Sequence, residues 1–257
     1  RGYWQVPVAQ RARHMTAFST PCGLFQFTMM PFGMQGAPAT FQRLMDRVIQ
    51  GMQSYASAYL DDLVIYSSCW KDHVSHIRLV LERLRGAGLT VKLSKCQFGM
   101  AKCLYLGHVI GSGGVEPEPS KVAAVNRFET PKTKTQVRAF LGITGYYRRF
   151  IPNYAAVALP LTELMKKCAP TQVIWTAQCE AAFHELKRLL CSAPILASPD
   201  FDKPFILQTD ASEYGVGAVL SQHDQHGHDH PVAYFSRKLL PREVRYSTVE
   251  KNASSSN

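Results

Sequence analysis

The chain has 257 residues, 46% of them apolar, and a formal net charge of +10. That length allows one large domain or two to three small ones, and the basic excess favours a polyanion as partner, either nucleic acid or an anionic membrane surface. No stretch approaches the roughly 20 apolar residues of a membrane span. The seven scattered cysteines contain no C-x-x-C pair, which favours a reducing compartment and argues against a disulfide framework or a zinc ribbon.

The first part of the chain combines extended segments with a Gly/Pro-rich loop. Residues 3–8 alternate in polarity and predict a strand, and residues 18–30 predict a second extended stretch with a turn at Gly23. The loop MPFGMQGAP follows at residues 30–38. Apolar residues then recur at helical spacing and predict a helix with one buried face, formed by Phe41, Leu44, Met45, Val48, Ile49 and Met52.

Two adjacent aspartates, Asp61 and Asp62, interrupt the almost wholly apolar run YASAYLDDLVIY at residues 55–66. The apolar flanks, residues 55–60 and 63–66, predict two short strands with the aspartates at or near a tight turn. Burying two such charges without a partner is very costly, and a divalent cation would offset that cost. The alternative is a solvated Asp-Asp turn on a surface hairpin.

The next elements extend this α+β pattern. We expect Asp72 to cap a helix that ends at Gly86 or Gly88. Its predicted inward residues are Val74, Ile77, Val80, Leu81 and Leu84. Residues 104–110 predict another strand, closed by the sequence GSGG at 111–114. Strand, helix, hairpin and helix in this order predict helices packed on one face of an antiparallel sheet.

Pro117 and Pro119 mark a boundary, beyond which the chain becomes helical and basic. From residue 118 to residue 190, eleven Lys and Arg stand against five Asp and Glu, a local excess of six positive charges. Helices are predicted over residues 136–150 and 176–191. The second of them is expected to bury Cys179, Phe183, Leu186, Leu189 and Leu190. Strands at 205–210, 215–221 and 232–235 then predict a β-rich unit, and the polar residues 252–257 predict a disordered tail.

The aspartate pair suits phosphoryl-transfer chemistry. Nucleotide polymerisation uses two divalent cations, one to activate the primer hydroxyl and one to hold the triphosphate. Carboxylate oxygens are ligands that Mg²⁺ prefers. Gly33 and Gly36 would let the loop backbone approach an incoming base closely, although the same loop also fits a plain helix-entry turn.

Several motifs in a fixed order resemble the reverse transcriptases of gypsy-type long-terminal-repeat retrotransposons. The motifs that resemble the palm of these enzymes are RGYWQ (1–5), MPFGMQGAPATFQ (30–42), YLDD (59–62), GLTVKLSKC (88–96) and YLGHVI (105–110). FLGITGYYRRFIPNYA (140–155) resembles the thumb, and QTDASEYGVGAVLSQ (208–222) and PVAYFSRKL (231–239) resemble the opening strands of a ribonuclease H domain. The resemblance implies an α+β right-hand polymerase palm over 1–116 with part of the fingers, a helical thumb or connection over 117–203, the first part of a ribonuclease H-like domain over 204–251, and a tail at 252–257.

The resemblance also implies roles for residues of the first motifs. Asp61 and Asp62 match the metal-binding aspartates of the polymerase, with two Mg²⁺ ions per active site and Mn²⁺ as an alternative. Tyr3 matches the aromatic gate that excludes a ribose 2′-hydroxyl, and the other implied substrate contacts are Phe32, Gly33, Gln35 and Leu60. Lys95 aligns with a lysine proposed as general acid to the leaving pyrophosphate. For Tyr3 and Lys95 the ordinary alternatives are a core tyrosine and a solvated lysine.

Other matched residues concern nucleic acid. Tyr105, Gly107 and His108 match the primer grip, and Asp210 matches the first acid that binds two metals in ribonuclease H, with a strand-end cap as the alternative. A set of basic residues is expected to follow the phosphates of a hybrid duplex, or else to form a solubilising helical face: Lys132, Lys134, Arg138, Arg148, Arg149, Lys166 and Lys167. The implied partners are an RNA template, a DNA primer, an RNA–DNA hybrid and deoxynucleoside triphosphates, with no membrane. The implied location is the cytoplasm, including virus-like particles, or the nucleus.

Parts of the family pattern fall outside this sequence. The family's third palm carboxylate and most of its fingers precede the RGYWQ run, and Arg1 in place of a start methionine indicates an interior fragment. A catalytic glutamate follows the family's Thr-x-Glu-Lys pattern, where this chain has Asn252, and Glu250 would be turned by about 200° on a helix. We therefore expect the parent reading frame to encode an RNA-directed DNA polymerase with ribonuclease H, and these 257 residues alone to be nearly inactive.

Other interpretations stay open at this point. A domesticated or decayed retroelement remnant would bind nucleic acid or a partner protein without catalysis. A telomerase-like or other cellular polymerase would not need an attached ribonuclease H, which the strand context of Asp210 argues against. The histidines at 223, 226, 228 and 230 raise the alternative of a transition-metal site, but their polar hairpin loop offers no supporting hydrogen-bond pattern.

Overall fold

The computed structural model describes residues 2–111, 113–166, 170, 172–211, 215–240 and 243. The chain divides into a first unit, Arg1–Met100, and a second unit, Ala101–Asn257. Both combine helices with antiparallel strands, so the predicted α+β class is confirmed. The three-part division with boundaries after residues 116 and 203 stays a prediction. Among the described helices, none has the length and apolar character needed to cross a membrane.

The first unit contains two helices, two β-hairpins and three short 3₁₀ segments among its described residues. The 3₁₀ segments are Tyr3–Gln5, Gln10–Thr16 and Leu93–Lys95. The hairpins pair β1 (Phe18–Thr20) with β2 (Gly23–Phe25) and β3 (Ala56–Tyr59) with β4 (Asp62–Ile65), and the helices are α1 (Ala37–Val48) and α2 (Trp70–Gly86).

The core of the first unit forms around α1. Pro38 lies in the first turn of this helix, where its missing N–H costs no intrahelical hydrogen bond. The residues buried from this helix and the turn after it are Ala37, Phe41, Met45, Val48, Ile49 and Met52, and Leu44 is half-buried. The predicted apolar face is therefore confirmed. It packs with Ala56 of β3 and with Val80 and Leu84 of α2.

Three local predictions for the first unit were wrong. Residues 3–5 form a 3₁₀ turn closed by a hydrogen bond from Gln5 N–H to the Gly2 carbonyl, and not the start of a strand. Helix α2 begins at Trp70 after an extended Cys69, so Asp72 lies inside the first turn, where a carboxylate interacts favourably with the helix dipole. Of the predicted inward residues of α2, Val74 and Leu81 are exposed, because only a narrow stripe of this helix meets the core.

The second unit contains two three-stranded antiparallel sheets and five helices among its described residues. One sheet has the order β5 (Lys102–Tyr105), β6 (His108–Gly111) and β7 (Gly114–Pro117). The helices are α3 (Pro119–Asn126), α4 (Lys134–Tyr146), α5 (Tyr154–Val157), α6 (Leu159–Glu163) and α7 (Ala177–Cys191). The other sheet has the order β10 (Asp229–Lys238), β9 (Gly215–His223) and β8 (Ile206–Ala211).

The helices of the second unit enclose one core. Helix α4 begins at a capping box, in which Thr133 accepts from Gln136 N–H and the Gln136 side chain reaches back to the Thr133 backbone. Helix α7 buries Cys179, Phe183, Leu186 and Leu190 as predicted, with Leu189 half-buried. They pack with Val137 and Phe140 of α4 and with Phe150, which follows α4 in a 3₁₀ turn at Arg148–Phe150.

The strand predicted over residues 104–110 was wrong, because the chain reverses in the middle of it. Leu106 and Gly107 have φ values of 47° and 67°, and Tyr105 pairs with His108 across this two-residue turn. Two successive positive φ values match the twist of a tight β-hairpin. The three predicted C-terminal strands correspond to β8, β9 and β10, while the predicted tail at 252–257 lies outside the described residues.

Candidate functional site

The two aspartates lie at the tip of the β3–β4 hairpin. Tyr59 pairs with Asp62, so Leu60 and Asp61 form the two-residue turn, and Leu60 has a φ of 50°. Both aspartates are exposed to solvent. The expectation that they are costly buried charges was therefore wrong, because the tight turn lifts them out of the apolar run on either side. Whether the two aspartates can act together as metal ligands depends on how the surrounding residues hold the turn.

The side chain of Gln42, on α1, ties this turn to the helix. Its Oε1 accepts a hydrogen bond from Leu60 N–H at 2.6 Å, and its Nε2 donates to the Ala58 carbonyl at 3.0 Å. Nε2 also donates to Oδ1 of Asp46, one turn further along α1, at 2.8 Å. A non-glycine residue in the left-handed region carries a cost of about 1–2 kcal/mol, and these bonds offset it at Leu60.

Asp61 packs against the residues just after the chain start. A Cβ at Gly2 would lie 2.7 Å from Oδ1 of Asp61 and 2.8 Å from the ring of Phe41, so only glycine fits here without a shift. The Tyr3 ring contacts Phe41 and Phe32, with centroid distances of 5.4 and 5.3 Å. Burial raises the pKa of the Tyr3 phenol, and the Asp61 carboxylate raises it further. Tyr3 and Asp61 thus lie close to each other, while the roles that the resemblance implies for them stay predictions.

The structure also gives the positions of the other residues that are predicted to contact the substrate or its leaving group. Phe32 is 52% exposed, and its ring packs with those of Tyr3 and Trp4. Gly33 has a φ of 90° and open space around its Cα, and Gln35 is exposed. Lys95 is also exposed, and its side chain has no hydrogen bond or ion pair with any described residue. The structure therefore shows no contact between Lys95 and the aspartates.

The ligand atoms available at the turn are of the type that hard cations prefer, but there are few of them. Asp61 and Asp62 supply carboxylate oxygens, the ligand class that Mg²⁺ and Mn²⁺ favour. Within the described part of the chain, no group of three or more His, Cys, Asp or Glu side chains is arranged to hold a metal ion. The two aspartates therefore form at most part of a metal site built from such side chains.

In the second unit, the predicted primer-binding residues lie at the β5–β6 turn. Tyr146 donates from its hydroxyl to the Leu106 carbonyl at 2.6 Å, and Tyr147 donates to the Gly107 carbonyl at 2.7 Å. Nδ1 of His108 lies 2.7 Å from the Leu106 carbonyl, while its Nε2 is buried without a hydrogen-bond partner among the described residues. Burial lowers the pKa of His108, against the effect of the Leu106 carbonyl, and Arg149 lowers it further.

Arg148 and Arg149 are exposed and follow directly after the tyrosine pair. The Arg149 guanidinium lies 5.9 Å from the centroid of the Phe150 ring. Asp210, the predicted ribonuclease H acid, is exposed near the end of β8 and pairs with Gly217 of β9. Gly217 in turn lies under the Asn153 side chain, whose Oδ1 would overlap a Cβ at this position.

The histidine cluster is organised by one aspartate on the β9–β10 hairpin. Asp224 accepts hydrogen bonds from the backbone N–H groups of His226 and His228, and its Oδ2 lies 3.1 Å from Nε2 of His230. These bonds hold the pKa of Asp224 well below its usual range. His223 pairs separately with Asp229 at 2.9 Å. The cluster thus works as a polar turn, and the described side chains form no transition-metal site.

Two parts of the chain match models of known protein families. Residues 1–110 match the family model described as reverse transcriptase (RNA-dependent DNA polymerase). Residues 175–255 match the model described as an RNase H-like domain found in reverse transcriptase. The chain carries a reverse transcriptase domain and an RNase H-like domain of the type found in reverse transcriptases. The resemblance of its motifs to that family is thereby confirmed.

Relatives of this reverse transcriptase chain occur in insects and yeast. It is 41% identical over 252 residues to the retrovirus-related Pol polyprotein from transposon 297 of Drosophila melanogaster, and 40% identical over 260 residues to that of transposon opus. The Tf2-3 transposon polyprotein of Schizosaccharomyces pombe is 34% identical over 250 residues. These matches cover 97–98% of the chain, but the chain spans only 23%, 26% and 19% of the three relatives.

Solved reverse transcriptase structures share the fold. A foamy viral protease-reverse transcriptase in complex with an RNA/DNA hybrid matches 99% of this chain and 34% of that one, with a TM-score of 0.86 and 22% identity. The same type of enzyme in complex with double-stranded DNA matches 99% of this chain and 53% of that one, with a TM-score of 0.86. At this identity the likeness shows the reverse transcriptase fold, and nothing finer.

Sequence reasoning missed three features of these two turns. Gln42 ends the motif at residues 30–42 but was given no role. A polar glutamine next to the buried Phe41 on α1 could have indicated a hydrogen bond to a neighbouring element. Gly2 was likewise in a motif, and its contact with Asp61 has no local signature. Tyr146 and Tyr147 were predicted only as part of a helix. Their hydroxyls donate to the carbonyls of Leu106 and Gly107, which lie forty residues earlier in the chain.

Proposed function

We propose that this chain is the palm and adjoining region of an RNA-directed DNA polymerase with an attached ribonuclease H, encoded by a retrotransposon. The family match, the motif order and the relatives support this proposal. The observation that carries it is the Asp61–Asp62 turn. It is anchored to α1 by Gln42, and the Asp61 carboxylate is packed against Gly2 and beside Tyr3.

The roles at this turn follow from its chemistry. Asp61 and Asp62 would hold divalent cations, Mg²⁺ in the first place, which supply the positive charge that activates a primer hydroxyl and neutralises a triphosphate. Tyr3 stands beside Asp61 with a ring fixed on two sides by Phe32 and Phe41. A rigid ring at this point is suited to reject a nucleotide that carries an additional 2′-hydroxyl, since a packed ring cannot move aside cheaply.

The other predicted residues divide between nucleotide and strand binding. Phe32, Gly33, Gln35 and Leu60 would line the nucleotide, and Lys95 would meet the leaving pyrophosphate. Tyr105, Gly107, His108, Arg148 and Arg149 would contact the primer and template strands, with the two arginines supplying sequence-independent phosphate contacts. The proposed partners are an RNA template, a DNA primer, their hybrid and deoxynucleoside triphosphates. The proposed location is the cytoplasm, including virus-like particles, with the nucleus as the alternative.

Asp210 is the residue proposed for ribonuclease H activity. It is exposed on β8, next to Gly217 on β9, so a hybrid backbone can approach it. Together with divalent cations it would direct a water molecule at an RNA phosphodiester. As the described residues contain no group of three or more His, Cys, Asp or Glu side chains that could hold a metal ion, we propose that the 257-residue chain alone cleaves and polymerises poorly.

Primer extension on an RNA template tests this function. The product of the full reading frame should extend a DNA primer only with Mg²⁺ or Mn²⁺, and it should degrade the template strand of the hybrid. Asp62→Asn should abolish extension and leave degradation, and Asp210→Asn should do the reverse. Full extension by the Asp62→Asn protein would contradict the assignment of the turn.

A non-catalytic nucleic-acid-binding protein is the second candidate, and the small metal-ligand set favours it. Such a remnant would bind a hybrid duplex with strong salt dependence, because Lys and Arg contacts to phosphates release counterions. It would neither extend a primer nor cleave RNA at any divalent cation concentration. The same extension assay, run beside a filter-binding titration, separates the two functions.

A further inference from the structure

The β5–β6 turn is strained at one residue and held by an unusual number of donors. Leu106 has a φ of 47°, which an L-residue with a branched side chain rarely adopts. Its carbonyl accepts from the Tyr146 hydroxyl and lies within hydrogen-bond distance of His108 Nδ1. The Gly107 carbonyl accepts from the Tyr147 hydroxyl and from Glu118 N–H at 3.2 Å. Four donors therefore converge on two carbonyl oxygens.

The aromatic rings behind these donors form one packed group. His108 has its ring centroid 5.4 Å from that of Tyr146 and 5.5 Å from that of Tyr147. The two tyrosine rings meet edge to face at 5.0 Å, and Phe150 stacks on His108 at 5.7 Å. Tyr147 is only 1% exposed, whereas Tyr146 is 54% exposed. The buried tyrosine supports the turn from within, and the exposed one supports it at the surface.

This arrangement changes the electrostatics of the turn. Carbonyl oxygens on a turn repel a phosphate group, and a hydrogen-bond donor on each oxygen weakens that repulsion. Arg149 is close enough to His108 for its charge to act on the imidazole, and both Arg148 and Arg149 are exposed. The surface around Leu106 and Gly107 is thus made acceptable to a polyanion by the same segment that carries the arginines.

We propose that Tyr146 is a positioning residue for the primer strand: its hydroxyl holds the strained Leu106–Gly107 turn in the one conformation that a primer–template duplex can use. This inference rests on the proposed function for its ligand, a DNA strand paired to a template. Without the hydroxyl, Leu106 relaxes to ordinary φ values in part of the population. The apparent affinity for the duplex falls in proportion to the fraction that remains competent.

The test is the equilibrium affinity of the 257-residue chain for a fluorescent RNA–DNA hybrid with a recessed DNA 3′ end, followed by anisotropy. Tyr146→Phe should weaken binding about fivefold, the ratio that corresponds to one ordinary hydrogen bond. The matched control is Tyr154→Phe. The Tyr154 hydroxyl, on α5, pairs with Thr144 Oγ1 at 3.0 Å and donates to the Leu141 carbonyl, so both of these partners are on α4 rather than on the turn. This control should lower the melting temperature and leave the affinity unchanged.

A second substitution separates turn conformation from general stability. Asparagine accepts the left-handed region more readily than leucine, so Leu106→Asn should restore most of the affinity lost in Tyr146→Phe. Unchanged affinity in Tyr146→Phe, equal losses in Tyr146→Phe and Tyr154→Phe, or no duplex binding by the unmodified chain would each overturn the proposal. Duplex binding that depends on Tyr146, without primer extension by the full reading frame, would uphold this proposal and overturn the polymerase function alone.

Discussion

The Gln42 amide is the point at which the aspartate turn can be perturbed most cleanly. Methionine at this position keeps the length of the side chain and its preference for a helix, but it neither donates nor accepts a strong hydrogen bond. Gln42→Met therefore removes the acceptor of Leu60 N–H and the donor to the Ala58 carbonyl. The carboxylates themselves are untouched, so any effect on catalysis comes from the position of the turn.

The size of the effect follows from the bonds removed. Each neutral hydrogen bond contributes about 0.5–1.5 kcal/mol, and Gln42 makes two to the turn. Leu60 keeps its left-handed backbone conformation, which costs about 1–2 kcal/mol. In the variant, the hydrogen bonds from residue 42 no longer offset this cost. We expect Gln42→Met to lower the free energy of unfolding by about 1–3 kcal/mol. We also expect primer extension to slow by about tenfold or more, since small displacements of reacting groups are costly.

Urea unfolding and the rate of primer extension by the full reading frame measure the two effects. The matched control is Gln53→Met, which removes the acceptor of Gly51 N–H in a surface turn at the other end of β3. It should cost less than about 1 kcal/mol in stability and leave extension unchanged. Equal losses of stability and of extension rate for Gln42→Met and Gln53→Met would refute the role of Gln42 in holding the turn.

Three further outcomes are expected in the second unit. Gly217→Ala should lower the free energy of unfolding by about 1–3 kcal/mol through overlap with the Asn153 side chain, and Asn153→Gly should restore it in urea titrations of the double variant. Because burial lowers the pKa of His108 below its ordinary 6.5, the unfolded chain binds more protons near that pH, and stability is lost as the pH falls. His108→Gln should flatten this part of the pH profile of stability. Replacing Arg148 and Arg149 by glutamine should each reduce the salt dependence of duplex binding by about one phosphate contact, measured as the slope of log affinity against log salt.

The sequence predicted the elements whose signals are local. The buried face of α1 is visible as apolar residues at helical spacing, and the β3–β4 hairpin as two short apolar runs around a turn. Alternating residues 3–8 and the apolar run 104–110 misled the same approach. A 3₁₀ turn and a tight hairpin place apolar side chains on both sides, so their pattern is indistinguishable from that of a strand.

The acidic residues of the candidate site could be predicted from the sequence, but the residues that hold its turns in place could not. Asp61 and Asp62 could be found because two charges stand in an apolar run, although their exposure could not. The residues that hold the turns, Gln42 and Tyr146, act through hydrogen bonds to backbone atoms 18 and 40 positions away. Such partners are chosen by tertiary packing, and no periodicity or turn signal in the chain records them.

The measurement that tests the central claim most directly is Mn²⁺ binding at the aspartate turn. Electron paramagnetic resonance would follow the free ion in the presence of the protein, a primer–template and an incoming nucleotide. Asp61→Asn and Asp62→Asn should each weaken Mn²⁺ binding by at least about tenfold, while Asp72→Asn, an exposed acid in the first turn of α2, should leave it unchanged. Identical Mn²⁺ binding in the unmodified protein and in the Asp61 and Asp62 variants would show that this turn holds no catalytic metal.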